Sequence, residues 1–228
     1  DMEAFKPLAE HLNQKIQEFK IYLAPTHISE RMVFEAMRQN TIRLAALGIT
    51  GFDTPSTLNT LAESKTTFEA LEFTVLNYAS YLSESDSTGL SDLFSLGRTY
   101  FNETNYDDFD RFGFVKTFIN PFYAALLKYQ TSLHIETRDL VSNATFSVNY
   151  KTESICDTDF LNIDYYSKYS SAGDFEERKS LGKLLFFDPI LSRNNQRACA
   201  SCHQPEKAFS DGRPKSLAFD HQGTLDRT

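Results

Sequence analysis

The sequence predicts an all-α protein made of a helical bundle and a shorter C-terminal domain. Apolar residues in the first 140 positions recur at steps of three and four instead of alternating. Start and stop signals flank several of these stripes. Ser, Asn, Asp and Tyr then crowd residues 142–175, which is typical of a connection. We therefore predict a bundle over 1–141, a linker over 142–175 and a second domain over 176–228.

The first two helices of the bundle are predicted from their apolar spacing. An opening helix covers residues 2–23. The next helix ends near Gly48, because the stretch from Gly48 to Gly51 supplies the permissive backbone of a turn. The apolar stripe of that second helix consists of Met32, Ala36, Leu44 and Leu47.

The clearest stripe belongs to a third helix, predicted over residues 55–83 and paired antiparallel with the second. Thr54 and Pro55 stand where an N-cap and a first-turn proline belong. The stripe consists of Leu58, Leu61, Phe68, Leu71, Val75, Ala79 and Leu82.

A last stripe is interrupted by Pro121, which either kinks one helix or begins a second helix capped by Asn120. We favour the capped restart. With 20 phenylalanines in the chain, a phenylalanine stripe at helical spacing predicts the core of the bundle. The stripe consists of Phe112, Val115, Ile119, Phe122, Leu126 and Leu133.

The linker is expected to pack on a domain, because Phe160, Leu161, Tyr165 and Tyr166 offer apolar and aromatic surface. Charge is uneven along the chain, whose net charge is −8. Between Arg178 and Lys215 basic residues dominate, and both a solvated basic face and pairing with an anionic group or partner remain open.

Several classes of protein are not supported by the sequence. No apolar run approaches the roughly 20 residues that span a bilayer, and no nucleic-acid motif is present. The chain starts at Asp1 without a signal peptide, which we interpret as numbering after processing. Of the three cysteines, Cys156 stands alone and is expected to be a partly buried free thiol.

The strongest chemical signal is the run Cys199-Ala200-Ser201-Cys202-His203. Two thiols separated by two residues can add to the two vinyl groups of a haem, while the adjacent histidine ligates the iron. A zinc half-site would need two further ligands at compact spacing, and a redox dithiol would need a βαβ setting. The motif therefore predicts one c-type haem with His203 as its proximal ligand.

The sixth iron ligand is predicted to be His221. The three methionines all precede the motif, so the downstream candidates are His221, Lys207 and Lys215. A neutral imidazole suits haem iron best among these groups. The alternative is a surface histidine with the distal face of the haem open or holding water.

Residues 181–212, LGKLLFFDPILSRNNQRACASCHQPEKAFSDG, resemble the first haem segment of the bacterial di-haem cytochrome c peroxidase and MauG-like family. The resemblance combines the LGKxLFFDPxLS run, the CxxCH motif and a following P-x-x-x-F-x-D-G element. It implies that Cys199, Cys202 and His203 attach the peroxide-reacting haem. It also implies that His221 ligates this haem at rest and moves away on activation. Leu184, Phe187 and Pro189 would line the haem pocket.

The chain departs from the family in lacking a second CxxCH motif and any tryptophan. We therefore interpret it as an N-terminal part of a longer protein, with a second haem expected in the remainder. Residues 1–140 match nothing in the two-haem core and would be an added N-terminal domain. Calcium is a further cofactor candidate, and a homodimer is left open.

The resemblance implies a periplasmic or cell-envelope oxidoreductase that reduces hydrogen peroxide to water. Electrons would come from a small cytochrome or cupredoxin. Two alternatives remain: a mono-haem electron carrier ligated by His203 and His221, and a MauG-like oxidase that modifies a partner protein.

Overall fold

The chain divides into two compact units, both described by a computed structural model. Unit 1 comprises residues 1–144 and 148–161, and unit 2 comprises residues 145–147 and 162–228. The residues that the structure describes are 2–54, 57, 59–102, 105–138, 146–166, 175–218 and 223–225. Within these ranges the protein is helical, and β-pairing is limited to three isolated bridges. The predicted all-α fold class is confirmed.

Unit 1 contains six α-helices, in the part of the chain that is described. Ser29, Ser83 and Asp110 cap three of them by accepting a hydrogen bond from the backbone N–H three residues on. Such short oxygen-bearing side chains satisfy donors that a helix start leaves unpaired. The helices are α1 (Met2–Leu23), α2 (Glu30–Arg43), α3 (Thr60–Leu76), α4 (Glu84–Thr99), α5 (Arg111–Phe114) and α6 (Asn120–Ser132).

The first two predicted helices are confirmed. Helix α1 spans the residues that the sequence indicated. Helix α2 continues into a π-helical turn over Leu44–Gly48, so the helical segment ends at the predicted glycine. The turn at Gly51 has a positive φ of 76°, a conformation that glycine adopts without steric cost.

The predicted bounds of the third helix were wrong. Helix α3 begins at Thr60, five residues later than expected, and ends at Leu76 instead of residue 83. Pro55 lies outside the described residues. The hydroxyl of Thr60 donates a hydrogen bond to the Gly48 carbonyl and ties the helix start to the preceding turn. Beyond Leu76, Ser83 caps a new helix and so interrupts the stripe.

The capped restart at Asn120 was also wrong. Asn120 has helical backbone angles, and a π-helical turn over Val115–Ile119 joins α5 to α6 without a break. Pro121 stands in the first turn of α6, where the wider π turn accommodates its missing N–H. The Asn120 side chain instead accepts a hydrogen bond from the Ile155 amide at 3.1 Å.

Phenylalanine rings form the core of unit 1, as expected. Phe114, Phe118 and Phe122 are fully buried and nearly parallel, with centroids 5.2 and 5.4 Å apart along the helical column. Phe68 and Phe94 cross this column in tilted or edge-on contacts. Phe112, by contrast, is exposed, although the sequence placed it on the buried stripe.

The glycine near the C-terminal end of α4 is required by this core. A Cβ on Gly97 would lie 2.6 Å from atoms of both Phe118 and Phe68. We expect Gly97→Ala to destabilise unit 1 by about 1–3 kcal/mol, because two packed rings would have to move. Chemical denaturation followed by far-ultraviolet circular dichroism measures this loss.

Gly89 provides the matched control for Gly97→Ala. It lies in the same helix, and a Cβ there would meet nothing within 4 Å. Gly89→Ala should stabilise the helix by about 0.5–1 kcal/mol, since alanine has the higher helix propensity. Equal effects of the two substitutions would contradict the packing argument.

Residues 148–161 pack on the bundle through a buried arginine. Arg38 of α2 is 1% exposed and donates hydrogen bonds to the carbonyls of Tyr150 (2.5 Å) and Thr152 (2.7 Å). Its guanidinium also lies 4.0 Å from the ring centroid of Tyr123. Burial lowers the pKa of Arg38 from its ordinary value and raises that of Tyr123.

The residues that were expected to pack the linker on a domain differ in their burial. Phe160 is buried against Tyr123, whereas Leu161, Tyr165 and Tyr166 are exposed. Cys156 is exposed, so the expectation of a partly buried thiol was wrong. The short turns around it leave its side chain at the surface.

Unit 2 contains two described helices, α7 (Ile163–Tyr166) and α8 (Phe175–Phe187). Three single 3₁₀ turns follow, over Pro189–Leu191, Cys199–Ser201 and Pro205–Lys207. A short hairpin closes the described part, with the amide of Leu225 donating to the Ser216 carbonyl at 2.8 Å. The motif cysteines thus lie between a helix and a hairpin.

Candidate functional site

The CxxCH motif forms one tight turn that presents both thiols and the imidazole. The amides of Cys202 and His203 both donate to the Cys199 carbonyl, at 3.2 and 2.9 Å. The Ser201 hydroxyl accepts from the Ala198 amide and closes the start of the turn. Cys199 is exposed, Cys202 is half-buried, and both are free thiols. The geometry suits two reduced sulfurs that react with one flat group.

The imidazole of His203 is oriented by a backbone carbonyl. Its Nδ1 lies 3.1 Å from the Phe209 oxygen. A carbonyl only accepts, so we assign the proton to Nδ1, which leaves Nε2 as a free lone pair. Histidine ligands of metals commonly donate their other ring N–H in this way. His203 is therefore poised as a metal ligand through Nε2.

The Phe209 carbonyl is placed by an unusual loop. Ala208 and Phe209 have positive φ angles of 52° and 62°, a conformation rare for residues with a side chain. The amide of Phe209 returns to the Gln204 carbonyl at 2.8 Å and closes the loop. The Phe209 ring makes an edge contact with Phe186 of α8, at 6.1 Å between centroids. Helix α8 thereby helps to fix the ligand orientation.

Apolar side chains of unit 2 remain exposed in this region. Leu184 and Phe187 of α8 are 68% and 53% exposed, and Pro189 is half-buried. Exposed apolar surface of this kind marks a binding face. Free thiols, an oriented imidazole and uncovered apolar side chains together fit a c-type haem. Further exposed apolar residues between positions 181 and 209 are Leu181, Ile190, Leu191 and Phe209.

Part of the predicted basic surface lines a small cavity beside the motif. Arg197, Lys207 and Arg213 surround a space of about 250 Å³, which Cys202 also lines. The other cations of the basic stretch are not among its lining residues. Asp211 also lines the cavity, so three cations and one carboxylate leave it with a net positive charge next to Cys202, which suits an anionic group.

The hairpin after the motif is anchored by Arg197, two residues before Cys199. Its guanidinium donates to the carbonyls of Leu217 (3.0 Å) and Ala218 (2.5 Å). The Ala218 amide donates across the hairpin to the Gly223 carbonyl at 3.1 Å. His221, predicted as the sixth iron ligand, lies outside the described residues.

Asp211 also stabilises the chain that leads into this hairpin. Its carboxylate accepts the Arg213 amide at 3.0 Å and the Ser216 hydroxyl, and these hydrogen bonds lower its pKa. Sequence reasoning missed the roles of Arg197, Phe209 and Asp211. Only the Asp-Gly pair of the family element gave a signal, because aspartate followed by glycine is typical of a turn.

We expect Arg197→Gln to loosen the hairpin. Losing two hydrogen bonds from a charged donor should raise amide hydrogen exchange at Ala218 and Leu225 by roughly 10–100-fold. Exchange measured by mass spectrometry on the intact chain tests this. Arg193→Gln, which changes an exposed arginine of the same segment, should leave these amides unaffected. Unchanged exchange in the Arg197 variant would refute the anchoring role.

The alternative of a zinc half-site gains no ligands from the fold. In the described part of the chain, no three His, Cys, Asp or Glu side chains converge to hold a metal ion. Separately, none of the described helices is long and apolar enough to span a bilayer.

Comparisons with known proteins locate a family relationship in the C-terminal quarter of the chain. Residues 176–228 match the family described as di-haem cytochrome c peroxidase. The segment is similar to the methylamine utilization protein MauG of Methylophilus methylotrophus, 46% identical over 52 residues. It is also similar to cytochrome-c peroxidase IdrP2 of Denitromonas iodatirespirans (56% over 39 residues) and to cytochrome c551 peroxidase of Pseudomonas aeruginosa (40% over 47).

These matches cover only a small part of this chain and a small part of each relative. They cover 23%, 17% and 21% of this chain and 16%, 11% and 14% of the respective relatives. No solved structure matches the chain significantly.

Proposed function

We propose that this chain, whose residues 176–228 match the di-haem cytochrome c peroxidase family, carries the N-terminal haem of a cytochrome c peroxidase-like oxidoreductase. The enzyme would reduce hydrogen peroxide to water with electrons from a small cytochrome or cupredoxin. The observation that carries the proposal is the motif turn, which presents two free thiols and a His203 imidazole oriented through Nδ1.

Cys199 and Cys202 would hold the haem covalently. Each thiol adds across one vinyl group, so that sulfur bonds to one carbon and hydrogen to the other, and no oxidant is consumed. The thiols must be reduced for this reaction, and both are free. Leu184, Phe187 and Pro189 would then cover the apolar faces of the macrocycle. Arg197, Lys207 and Arg213 would pair with its propionates beside Cys202.

The bound haem supplies the redox-active iron at which peroxide is reduced. His203 would ligate the iron through Nε2, and its hydrogen bond to the Phe209 carbonyl would raise the basicity of the imidazole. A more basic proximal ligand stabilises oxidised iron. His221 would be a second iron ligand at rest and would be released on activation, as a two-state switch.

The remaining features of the proposal follow from haem attachment and the family. Haem c is attached outside the cytoplasm, so we place the protein in the periplasm or cell envelope. A second haem, and calcium, would belong to the longer protein.

A second candidate function is a MauG-like oxidation of a partner protein. It is favoured by the names of two relatives, both MauG, that are 46% and 49% identical over the matched segment. Under this proposal unit 1 would provide a docking surface. A bis-His electron carrier is the third candidate, and it requires no reaction with peroxide.

The test uses the native full-length gene product, matured in a host that attaches haem c. Intact mass and the pyridine haemochrome spectrum give the haem count, and stopped-flow absorption follows peroxide and a reduced donor cytochrome. We expect covalent haem and donor oxidation that depends on peroxide. A ferric spectrum unaffected by peroxide would refute the peroxidase and support the electron carrier.

His221→Ala tests the distal ligand in the same preparation. We expect the resting ferric spectrum to shift from low-spin to high-spin, while His11→Ala, an exposed histidine of α1, leaves it unchanged. An unchanged spectrum in His221→Ala would refute this ligation without affecting the attachment of haem.

A further inference from the structure

Helix α1 is amphipathic, and its apolar face is uncovered. Every residue from Phe5 to Leu23 is exposed. Six large apolar side chains recur at steps of three and four and form one stripe along the helix. They are Phe5, Leu8, Leu12, Ile16, Phe19 and Leu23, which are between 40% and 67% exposed.

A stripe of this size is unusual for the surface of a monomer. At roughly 100 Å² of exposed surface per side chain, the six residues present about 600 Å² of apolar surface. Monomers rarely expose a larger continuous patch, and such patches mark interaction sites. In proteins, most of the stability of a helix comes from packing of its amphipathic face. The stripe is therefore a candidate surface for an apolar partner.

An apolar groove of matching character lies on the same unit. It contains about 600 Å³ of space and runs between α2 and α3. Small side chains dominate its α3 wall, where Thr66, Thr67, Ala70 and Thr74 line it. On α2, the small side chain of Ala36 leaves space in the opposite wall, between Met32 and Met37. Small residues along a groove admit the large side chains of a packed helix.

We propose that α1 of one copy occupies the α2–α3 groove of a second copy, and that the exchange is reciprocal. The stripe and the groove belong to one chain, so a two-fold arrangement satisfies both surfaces of both copies and closes the assembly. This inference concerns unit 1 and does not depend on the proposed function.

The connection between α1 and α2 supports a second copy as the occupant. The connection begins after Leu23, the last residue of α1. Leu23, Thr26 and Ile28 line one end of the groove. Hydrogen bonds from Ala24 to the Lys20 carbonyl and from Thr26 to the Leu23 carbonyl fix this exit. Apart from Leu23, the stripe residues are not among those that line the groove of their own chain, and they remain exposed.

The buried area matches what a stable dimer needs. Covering the stripe in both copies would bury about 1,200 Å² of helix surface, to which the smaller surface of the two grooves adds. Stable interfaces bury about 1,200–2,000 Å². The exchanged dimer therefore reaches the range of stable interfaces.

The first test measures oligomeric state in the full-length holoprotein by light scattering after size exclusion. We expect a dimer for the wild type. Leu12→Glu, which places a charge at the centre of the stripe, should give a monomer. Ile21→Glu is the matched control, because Ile21 is 75% exposed and lies on the opposite face of α1, so this variant should remain a dimer. A monomeric wild type, or a dimeric Leu12→Glu variant, would overturn the proposal.

The second test identifies the groove by disulfide trapping in a Cys156→Ser background. Leu12→Cys and Ala70→Cys are placed on separate chains, which are mixed and oxidised, and the linked peptides are identified by mass spectrometry. We expect a disulfide between position 12 of one chain and position 70 of the other. In the double variant, a link formed only within one chain would show that α1 folds back on its own groove and would refute the exchange.

Discussion

Replacing Cys199 and Cys202 together with alanine is expected to abolish covalent haem attachment completely. The two sulfurs are the reacting atoms, and the described part of unit 2 offers no other thiol. Without thioether bonds, His203 would hold iron by ligand affinity alone, on a surface where it is exposed. Haem-stained denaturing gels and intact mass measure the loss.

The cysteine substitutions also have a matched control. Cys156→Ala removes the third thiol, which is exposed and lies in unit 1, and should leave attachment unchanged. The double variant should keep the helical signal of unit 1, because neither cysteine contributes to the core of that unit. Covalent haem in the double variant would contradict the assigned site.

Replacing Arg38 with methionine is expected to destabilise unit 1 by about 3–5 kcal/mol, because the Tyr150 and Thr152 carbonyls lose their buried donor. Each buried polar group left without a partner costs about 1–3 kcal/mol. Methionine keeps the apolar stem of arginine but lacks the guanidinium, so the loss reports on the two hydrogen bonds, the contact with Tyr123 and the space that the guanidinium fills.

Chemical denaturation with two optical signals separates the unfolding of unit 1 from that of unit 2. Far-ultraviolet circular dichroism follows the helices, most of which belong to unit 1, while the Soret band of the attached haem follows unit 2. Arg43→Gln in the same helix should cost less than about 1 kcal/mol, since its ion pair with Asp53 is exposed. A similarly small cost for Arg38→Met would show that the buried hydrogen bonds do not stabilise the fold.

Local sequence patterns predicted part of the bundle well. The bounds of α1 and the end of the second helical segment at Gly48 follow from apolar spacing and from one glycine, which act within a few residues. The start of α3 could not be predicted, because it depends on a hydrogen bond between Thr60 and the Gly48 carbonyl across the intervening loop.

Arg38 shows why the rest of unit 1 was beyond sequence reasoning. Arginine is rarely fully buried, and nothing near Arg38 in the sequence indicates a partner. Its acceptors lie more than a hundred residues away, in a segment that reads as a polar linker. Such burial cannot be predicted from nearby residues, because it depends on contact between segments that are distant in the sequence.

The residues of the candidate site also fall into those that the sequence identifies and those that it does not. Cys199, Cys202 and His203 form a motif whose spacing is itself the chemical requirement, so the sequence identifies them. The Phe209 carbonyl and the Arg197 anchor depend on backbone conformation instead. Positive φ angles at an alanine and a phenylalanine have no sequence signal, since glycine or asparagine is the usual residue there.

The π turn over Val115–Ile119 has a consequence for the evolution of the bundle. An α-helix completes a turn in about 3.6 residues, so side chains four apart drift steadily around its axis. The wider π turn takes more residues and cancels that drift, which keeps Phe114, Phe118 and Phe122 in one column. A regular α-helix would offset rings four residues apart by about 40°, so Phe114 and Phe122 would diverge by about 80° across the column. We therefore expect the extra residue of the π turn to be retained even where the composition of this segment varies.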